Sequence, residues 1–466
     1  MDATATALNR FGLGARPGEL TPGQPRRWLL DQLARYQPLP PAWSAQPRTG
    51  TLMADLMEQQ RTVREAAPMQ KAAARQLLQR HARDVYLAAV GARADAALQT
   101  PAPFPEHLVH FWSNHFAVSI DKGPVLGLAG AFEVDAIRPH VLGRFEDMLL
   151  AATRHPAMLL YLDQAASVGP DSPAAQRVAL RAGGRQRGLN ENLAREIMEL
   201  HTLGVRSGYT QSDVTEFARA LTGWGIAGRA APRFAVLMRG ASAPAADLGF
   251  EYRSALHEPG PRTIVGRTYG DTGEGQARAA LHDFATAPAT ARHVAFKLAR
   301  HFVADDPPAA VVQRLARAFE RSGGDLPAVY RALVDSPQAW RPAPAKFKTP
   351  WEWAVSSLRA LGRSEAPPMQ VAALMNQLGQ PVWRPGSPAG YDDIAAAWAA
   401  PDALLRRVEA AQRIASQAGD TIDARALAPK LLPGSLREAT AGAIARADSP
   451  GSALALLLVS PEFLRR

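Results

Sequence analysis

The chain of 466 residues is 47% hydrophobic and 21% charged, the balance of a protein that buries a core. It has no cysteine, which excludes disulfides, thiolate metal sites, cysteine-ligated clusters and cysteine nucleophiles. The formal net charge of +10 is nearly all arginine interleaved with acids, so nucleic acid is not an expected partner.

Met1 to Arg10 has an acidic second residue, no basic n-region and no apolar run, so no signal peptide is expected. The cytoplasm is the default compartment, with export alongside a partner left open. No run approaches ~18 apolar residues, so no transmembrane helix is expected. Residues 26–36 predict a short amphipathic helix ahead of a proline-rich stretch at 37–47. Apolar residues at three- and four-residue spacing then predict one long helix from about Leu52 to Leu98.

Beyond Pro101, Pro103 and Pro105, a helix at 105–118 carries His107, His110, Asn114 and His115. Further helices are predicted at 125–138, 144–153, 156–162, 190–203 and 210–223. Thr210, with Asp213 three residues on, caps the last of these, and Gly204 is placed to end its predecessor. The helical period breaks only near 233–268. There Phe234–Met238, Phe250–Tyr252 and Thr263–Val265 predict short strands, with a turn at His257-Glu258-Pro259-Gly260. Helices resume at 274–286, 288–304, 308–321, 325–335, 351–361, 369–378, 402–417 and 451–463, with an irregular loop at 380–390. The expected fold is mainly α, a large multi-helix globular domain over 1–466 with a small β-hairpin or short-strand insertion.

The densest polar cluster is GLNENLAREIMELHTLG at 188–204. At helical spacing Asn192, Arg195, Glu196 and Glu199 share one face, with His201 off it. Glu196 and Glu199 suit an acid–base pair if proximity raises one pKa. Asn190, Asn192 and Arg195 would then hold the substrate. Glycan hydrolysis is one such use of two carboxylates. The plainer reading is an i,i+4 ion pair between Glu191 and Arg195 with the other acids bridging helices. His115, His201 and His257 with a Glu form the alternative, a divalent-metal site, although no HExxH spacing announces it. His293, Lys297 and His301 recur every four residues and predict a solvated helix face, with anion binding as the other reading. A helix-turn-helix likeness at 203–221 is set aside because Phe217, Leu221 and Trp224 make the second helix too apolar. There is no Walker loop, GxGxxG or nucleophile elbow.

The strings LNRFGLGARPGE at 8–19, FWSNHFAVS at 111–119, GLNENLAREIMELHTLG at 188–204, GYTQSDVTEFARALTGW at 208–224, KFKTPWEWAVSSLRALG at 346–362 and LGQPVWRPGSPAGYDD at 378–393 resemble the domain-of-unknown-function 1800 family. The resemblance runs in order along nearly the whole chain. It implies a bacterial protein, often encoded beside a second uncharacterised family of sulfatase-like appearance. Many members carry export signals, and this chain departs from them there. His257-Glu258 stands where the family commonly has His-Asp, and Ser113 where many members carry another histidine. The resemblance brings no established reaction.

These features lead to a hydrolase with a carboxylate-centred site on the helix 190–203. Its catalytic residues would be Glu196, Glu199 and His201, with Asn190, Asn192, Arg195, Asn114, His115 and His257 around the substrate. One alternative is a non-catalytic accessory or scaffold protein that partners a neighbouring gene product. The other is a metal-dependent enzyme using His and Glu ligands.

Overall fold

Helices begin where the sequence supplies a proline or a capping side chain. The computed structural model describes residues 3–18, 23–179, 188–228, 249–341 and 346–466. Proline opens the helices Pro103–His115, Pro288–Phe302, Pro350–Ala360, Pro401–Ala418 and Pro450–Leu458, where its missing N–H costs nothing. Thr210 and Asp213 form the expected capping box ahead of Gln211–Leu221. The fold is mainly helical, with two small antiparallel hairpins. Among the described residues no helix is long and apolar enough to cross a membrane.

Three local expectations are corrected. The long helix of 52–98 is two helices, Thr49–Glu65 and Lys71–Gln99, because Pro68 cannot continue the backbone ladder. The predicted helix 125–138 is a series of short turns: 3-10 at Gly123–Val125, α at Ala129–Phe132, π at Glu133–Ile137 and 3-10 at Arg138–His140. The strands form two separate hairpins, with Trp224–Ile226 pairing Phe250–Tyr252 and Arg262–Ile264 pairing Arg267–Tyr269. The predicted strand at 234–238 lies outside the described residues. Two helices that the sequence pattern did not predict, Ala424–Leu431 and Glu438–Ala445, add to the C-terminal part.

One contiguous apolar cluster takes buried side chains from Ala7 to Leu464. At its centre Phe11 stacks on Phe302 (5.8 Å between rings) and meets Phe104 edge-on (5.7 Å). This packing holds the helices Pro103–His115 and Pro288–Phe302 side by side. A short backbone pairing of Lys346, Phe347 and Lys348 with Leu464, Arg465 and Arg466 brings Arg466 beneath the start of Pro350–Ala360. These three helix ends and the 379–394 loop surround one polar cavity.

Candidate metal centre

The cavity encloses about 200 Å³, and His107, His301 and Glu352 lie at its wall. His107 comes from the second turn of Pro103–His115, His301 from the last turn of Pro288–Phe302, and Glu352 from the first turn of Pro350–Ala360. Glu352 is the acidic partner of a capping box. Its Oε2 accepts the Thr349 N–H (2.8 Å), and Thr349 Oγ1 accepts the Glu352 N–H (3.3 Å). That bond fixes the carboxylate and leaves Oε1 facing the histidines. His107 Nε2 lies 2.9 Å from Glu352 Oε1 and 3.0 Å from His301 Nε2, and His301 Nε2 lies 3.9 Å from Oε1. Among the described residues this is the one group of His, Asp and Glu donors arranged to hold a metal ion.

The other ring nitrogens define the protonation pattern. His107 Nδ1 is 3.0 Å from the Phe11 carbonyl, which can only accept, so the His107 proton sits on Nδ1. His301 Nδ1 is 2.7 Å from Asp393 Oδ2. Burial alone would raise the Asp393 carboxyl, but its contact with His301 and the Lys346 charge bring it down to about 2. It is therefore ionised and also accepts. Burial drives His107 down to about 4, against the pull of the adjacent Glu352 carboxylate. Two imidazole lone pairs and one carboxylate oxygen thus converge on one point.

The surroundings are rich in committed cations. Arg466 pairs with Glu352 Oε1 at 2.7 Å, and Lys346 Nζ donates to Asp305 (2.5 Å) and to the Asp393 carbonyl (2.6 Å). Burial brings the Lys348 ammonium down to about 7, with the Glu352 charge opposing. Burial would raise the Glu352 carboxyl, but Arg466 and His107 hold it well below the usual range. Arg93 forms the far wall between the rings of Trp351 (4.7 Å) and Trp383 (5.3 Å), paired with Glu133 at 3.1 Å.

The residues singled out in the sequence are found in different places. Asn114 and His115 line this cavity. Asn114 spends its amide on the backbone of Tyr391, donating to its carbonyl (2.9 Å) and accepting its N–H (2.7 Å), so it holds the 379–394 loop in place. Gly390 makes this approach possible: it has φ +82°, and a Cβ there would lie 2.4 Å from the Asn114 carbonyl oxygen. Gly390→Ala is expected to destabilise the protein by roughly 1–3 kcal/mol. A urea midpoint equal to that of the wild type would contradict this.

His115 Nε2 donates to the His201 carbonyl (3.1 Å). The His201 ring is buried against Phe116 at 5.1 Å, because the helix widens into a π turn over Ile197–His201. Glu191, Arg195, Glu196 and Glu199 are only partly buried and do not line the cavity, nor do Asn190 and Asn192. Arg195 pairs with Glu191 (3.0 Å), the expected i,i+4 bridge, and lies 3.8 Å from Glu199. Asn190 accepts the Asn192 N–H (2.9 Å) and so starts the helix. Glu196 is raised by burial and then by the Glu199 charge. His257 Nδ1 donates to the Thr222 carbonyl (2.9 Å), and Glu258 Oε2 accepts the Asp171 N–H (2.8 Å). The His-Glu turn therefore ties segments together. Ser113 donates to Glu133 (3.0 Å).

The expected solvated stripe is overturned. His293, Lys297 and His301 point inward, with Lys297 and His301 on the cavity wall and His293 Nε2 donating to the Leu200 carbonyl (2.9 Å). Packing of Pro288–Phe302 between neighbouring helices turns this polar row inward, with His301 buried and His293 and Lys297 partly buried. His301, His107 and Glu352 were not among the sequence's candidate ligands.

Several buried histidines make stability pH-dependent. Burial takes His155 to about 4, His201 to about 3 and His293 to about 4, from 6.5. Between those values and 6.5 the unfolded chain binds protons that the folded chain refuses, so stability rises with pH there. Stability is expected to be full above about pH 6.5 and to fall towards pH 4, by up to about 1.4 kcal/mol per pH unit for each group. Urea titrations at pH 7 and 5 check this. His201→Phe should shrink the difference, and an unchanged difference would contradict the assignment.

No curated protein matches the chain, and neither does any solved structure. The family model described as "Protein of unknown function (DUF1800)" matches residues 6–465, and the chain belongs to that family.

Proposed function

We propose that the protein is a metal-dependent enzyme of the hydrolase kind, with a divalent cation held by His107 Nε2, His301 Nε2 and Glu352 Oε1. The observation that carries this reading is the commitment of both Nδ1 atoms, to the Phe11 carbonyl and to Asp393. Metal-ligating histidines use their second nitrogen in this way, and it leaves each Nε2 as a donor to the ion. Distances support it as well. A tetrahedral ion with bonds of 2.0–2.1 Å sets its ligands about 3.3 Å apart, and the separations of 2.9, 3.0 and 3.9 Å bracket that value. Without an ion, a proton must lie between the three acceptors. Imidazole and carboxylate together suit Zn, Mn or Fe. A divalent ion with three protein ligands keeps an open position from which it can polarise a carbonyl or phosphoryl oxygen, or activate water.

A second reading keeps the carboxylate pair of Glu196 and Glu199, with His201. It is favoured by the raised Glu196 carboxyl, the pattern of a general acid. The two readings separate in a screen of ester, amide and phosphoester substrates with and without a chelator. The metal reading expects hydrolysis that the chelator abolishes and that Glu196→Gln leaves intact. Hydrolysis indifferent to chelator but lost in Glu196→Gln would overturn it in favour of the second.

A further inference from the structure

We propose that this cavity binds an oxyanion, the carboxylate or phosphate group of a small substrate, on the ammonium of Lys297. The inference rests on the metal-centre reading for its chemistry, although the binding itself can be measured without it. Lys297 sits one turn before His301 on the same helix face, so its side chain shares the cavity with the three converging donors. It makes no hydrogen bond or ion pair with any described residue. The other cations of the wall are engaged: Arg93 with Glu133 at 3.1 Å, and Arg300 with the Asp305 carbonyl at 3.1 Å and the Phe296 ring at 4.5 Å. The nearby carboxylate of Asp393 already serves His301 (2.7 Å) and Lys346 (3.3 Å).

The Asp393 charge that acts on Lys297 is already shared with His301 and Lys346, so an incoming anion would give this partly buried ammonium a counter-charge of its own. A second group points the same way. His115 Nδ1 lies in a side chain on the same wall, is buried and has no partner among the described residues. Since Nε2 donates to the His201 carbonyl, Nδ1 is an acceptor, suited to a hydroxyl or a protonated phosphate oxygen. The cavity's 200 Å³ falls below the range of about 300–1,000 Å³ usual for drug-sized ligands. Trp351, Trp383 and Tyr391 complete a wall that suits only a short organic portion.

Calorimetry with inorganic phosphate and with acetate, on wild type, Lys297→Met and Lys297→Arg, each with and without one equivalent of Zn²⁺, tests the inference. The expected result is binding of at least one anion by the wild type, about tenfold or more weaker in Lys297→Met and largely kept in Lys297→Arg. Phosphate bound without acetate, or the reverse, tells which oxyanion the site prefers. Zn²⁺ bound equally by wild type and Lys297→Met shows that the variant keeps its fold and its centre. With Zn²⁺ binding intact, anion binding that ignores the substitution, or no anion binding by the wild type, overturns the inference alone. Lys297-dependent anion binding in a protein that takes no Zn²⁺ overturns the metal reading alone.

Discussion

Replacing His107 or His301 by alanine is expected to abolish tight binding of a divalent cation and any hydrolysis that depends on it. Each substitution removes one of the three donors that converge at 2.9–3.9 Å. Two ligands and water do not hold a catalytic ion in the geometry that three impose. Asp393→Asn tests the same site one step outward. Asp393 holds His301 through Nδ1 at 2.7 Å, so its loss should weaken metal affinity by about 10–100-fold while leaving all three ligands in place. Competitive Zn²⁺ titration against a chromogenic chelator measures the order: wild type tightest, Asp393→Asn weaker, His107→Ala and His301→Ala weakest. Equal affinities across the four proteins would mean that the ion binds elsewhere.

Arg138→Met is expected to be among the most damaging single substitutions for stability. Arg138 is fully buried, and its guanidinium meets Glu106 with two bonds of 2.8 and 2.6 Å and lies 3.8 Å from Glu133. Burial alone would lower its pKa, but Glu106 reverses the sign and keeps it charged. Removing the cation leaves Glu106, itself buried, with only His110 at 3.8 Å among the described residues. Breaking a buried pair in this way costs about 3–5 kcal/mol, chiefly from the charge left behind. Urea unfolding should show that loss, and Glu106→Gln added to Arg138→Met should recover part of it. A loss under about 1 kcal/mol would mean that water reaches Glu106. This network lies on the same Pro103–His115 helix as His107, so the stability of the core and the placement of the site are linked.

The helices were legible because their signals are local. Prolines mark the starts of Pro103–His115, Pro288–Phe302 and Pro350–Ala360, and Thr210 with Asp213 forms the expected capping box. Family membership was legible too, since its strings are spread along the chain in order. The π turn at Ile197–His201 was not, because it follows from how the helix end packs on Phe116 and His115. It also breaks the helical phase from which a shared face was read.

The converging donors were hidden for a different reason. His107 and His301 are separated by 194 residues, and His107 and Glu352 by 245. No spacing rule connects residues so far apart; the two histidine helices meet through core packing, with Phe302 against Phe104, His107 and Phe11. Each ligand also has an ordinary local explanation. Glu352 completes the Thr349 capping box, and His301 belongs to a polar row that an isolated helix would turn to water. The four-residue spacing of His293, Lys297 and His301 was the usable signal, and its less favoured reading agrees better with where the row faces.

The most direct test is the metal content of the purified full-length protein after expression in medium supplemented with Zn²⁺, Mn²⁺ and Fe²⁺, without chelating steps. The metal-centre reading predicts about one equivalent of one divalent metal per chain in the wild type and close to none in His301→Ala. A wild type without bound metal, or a His301→Ala variant that keeps it, would contradict that reading.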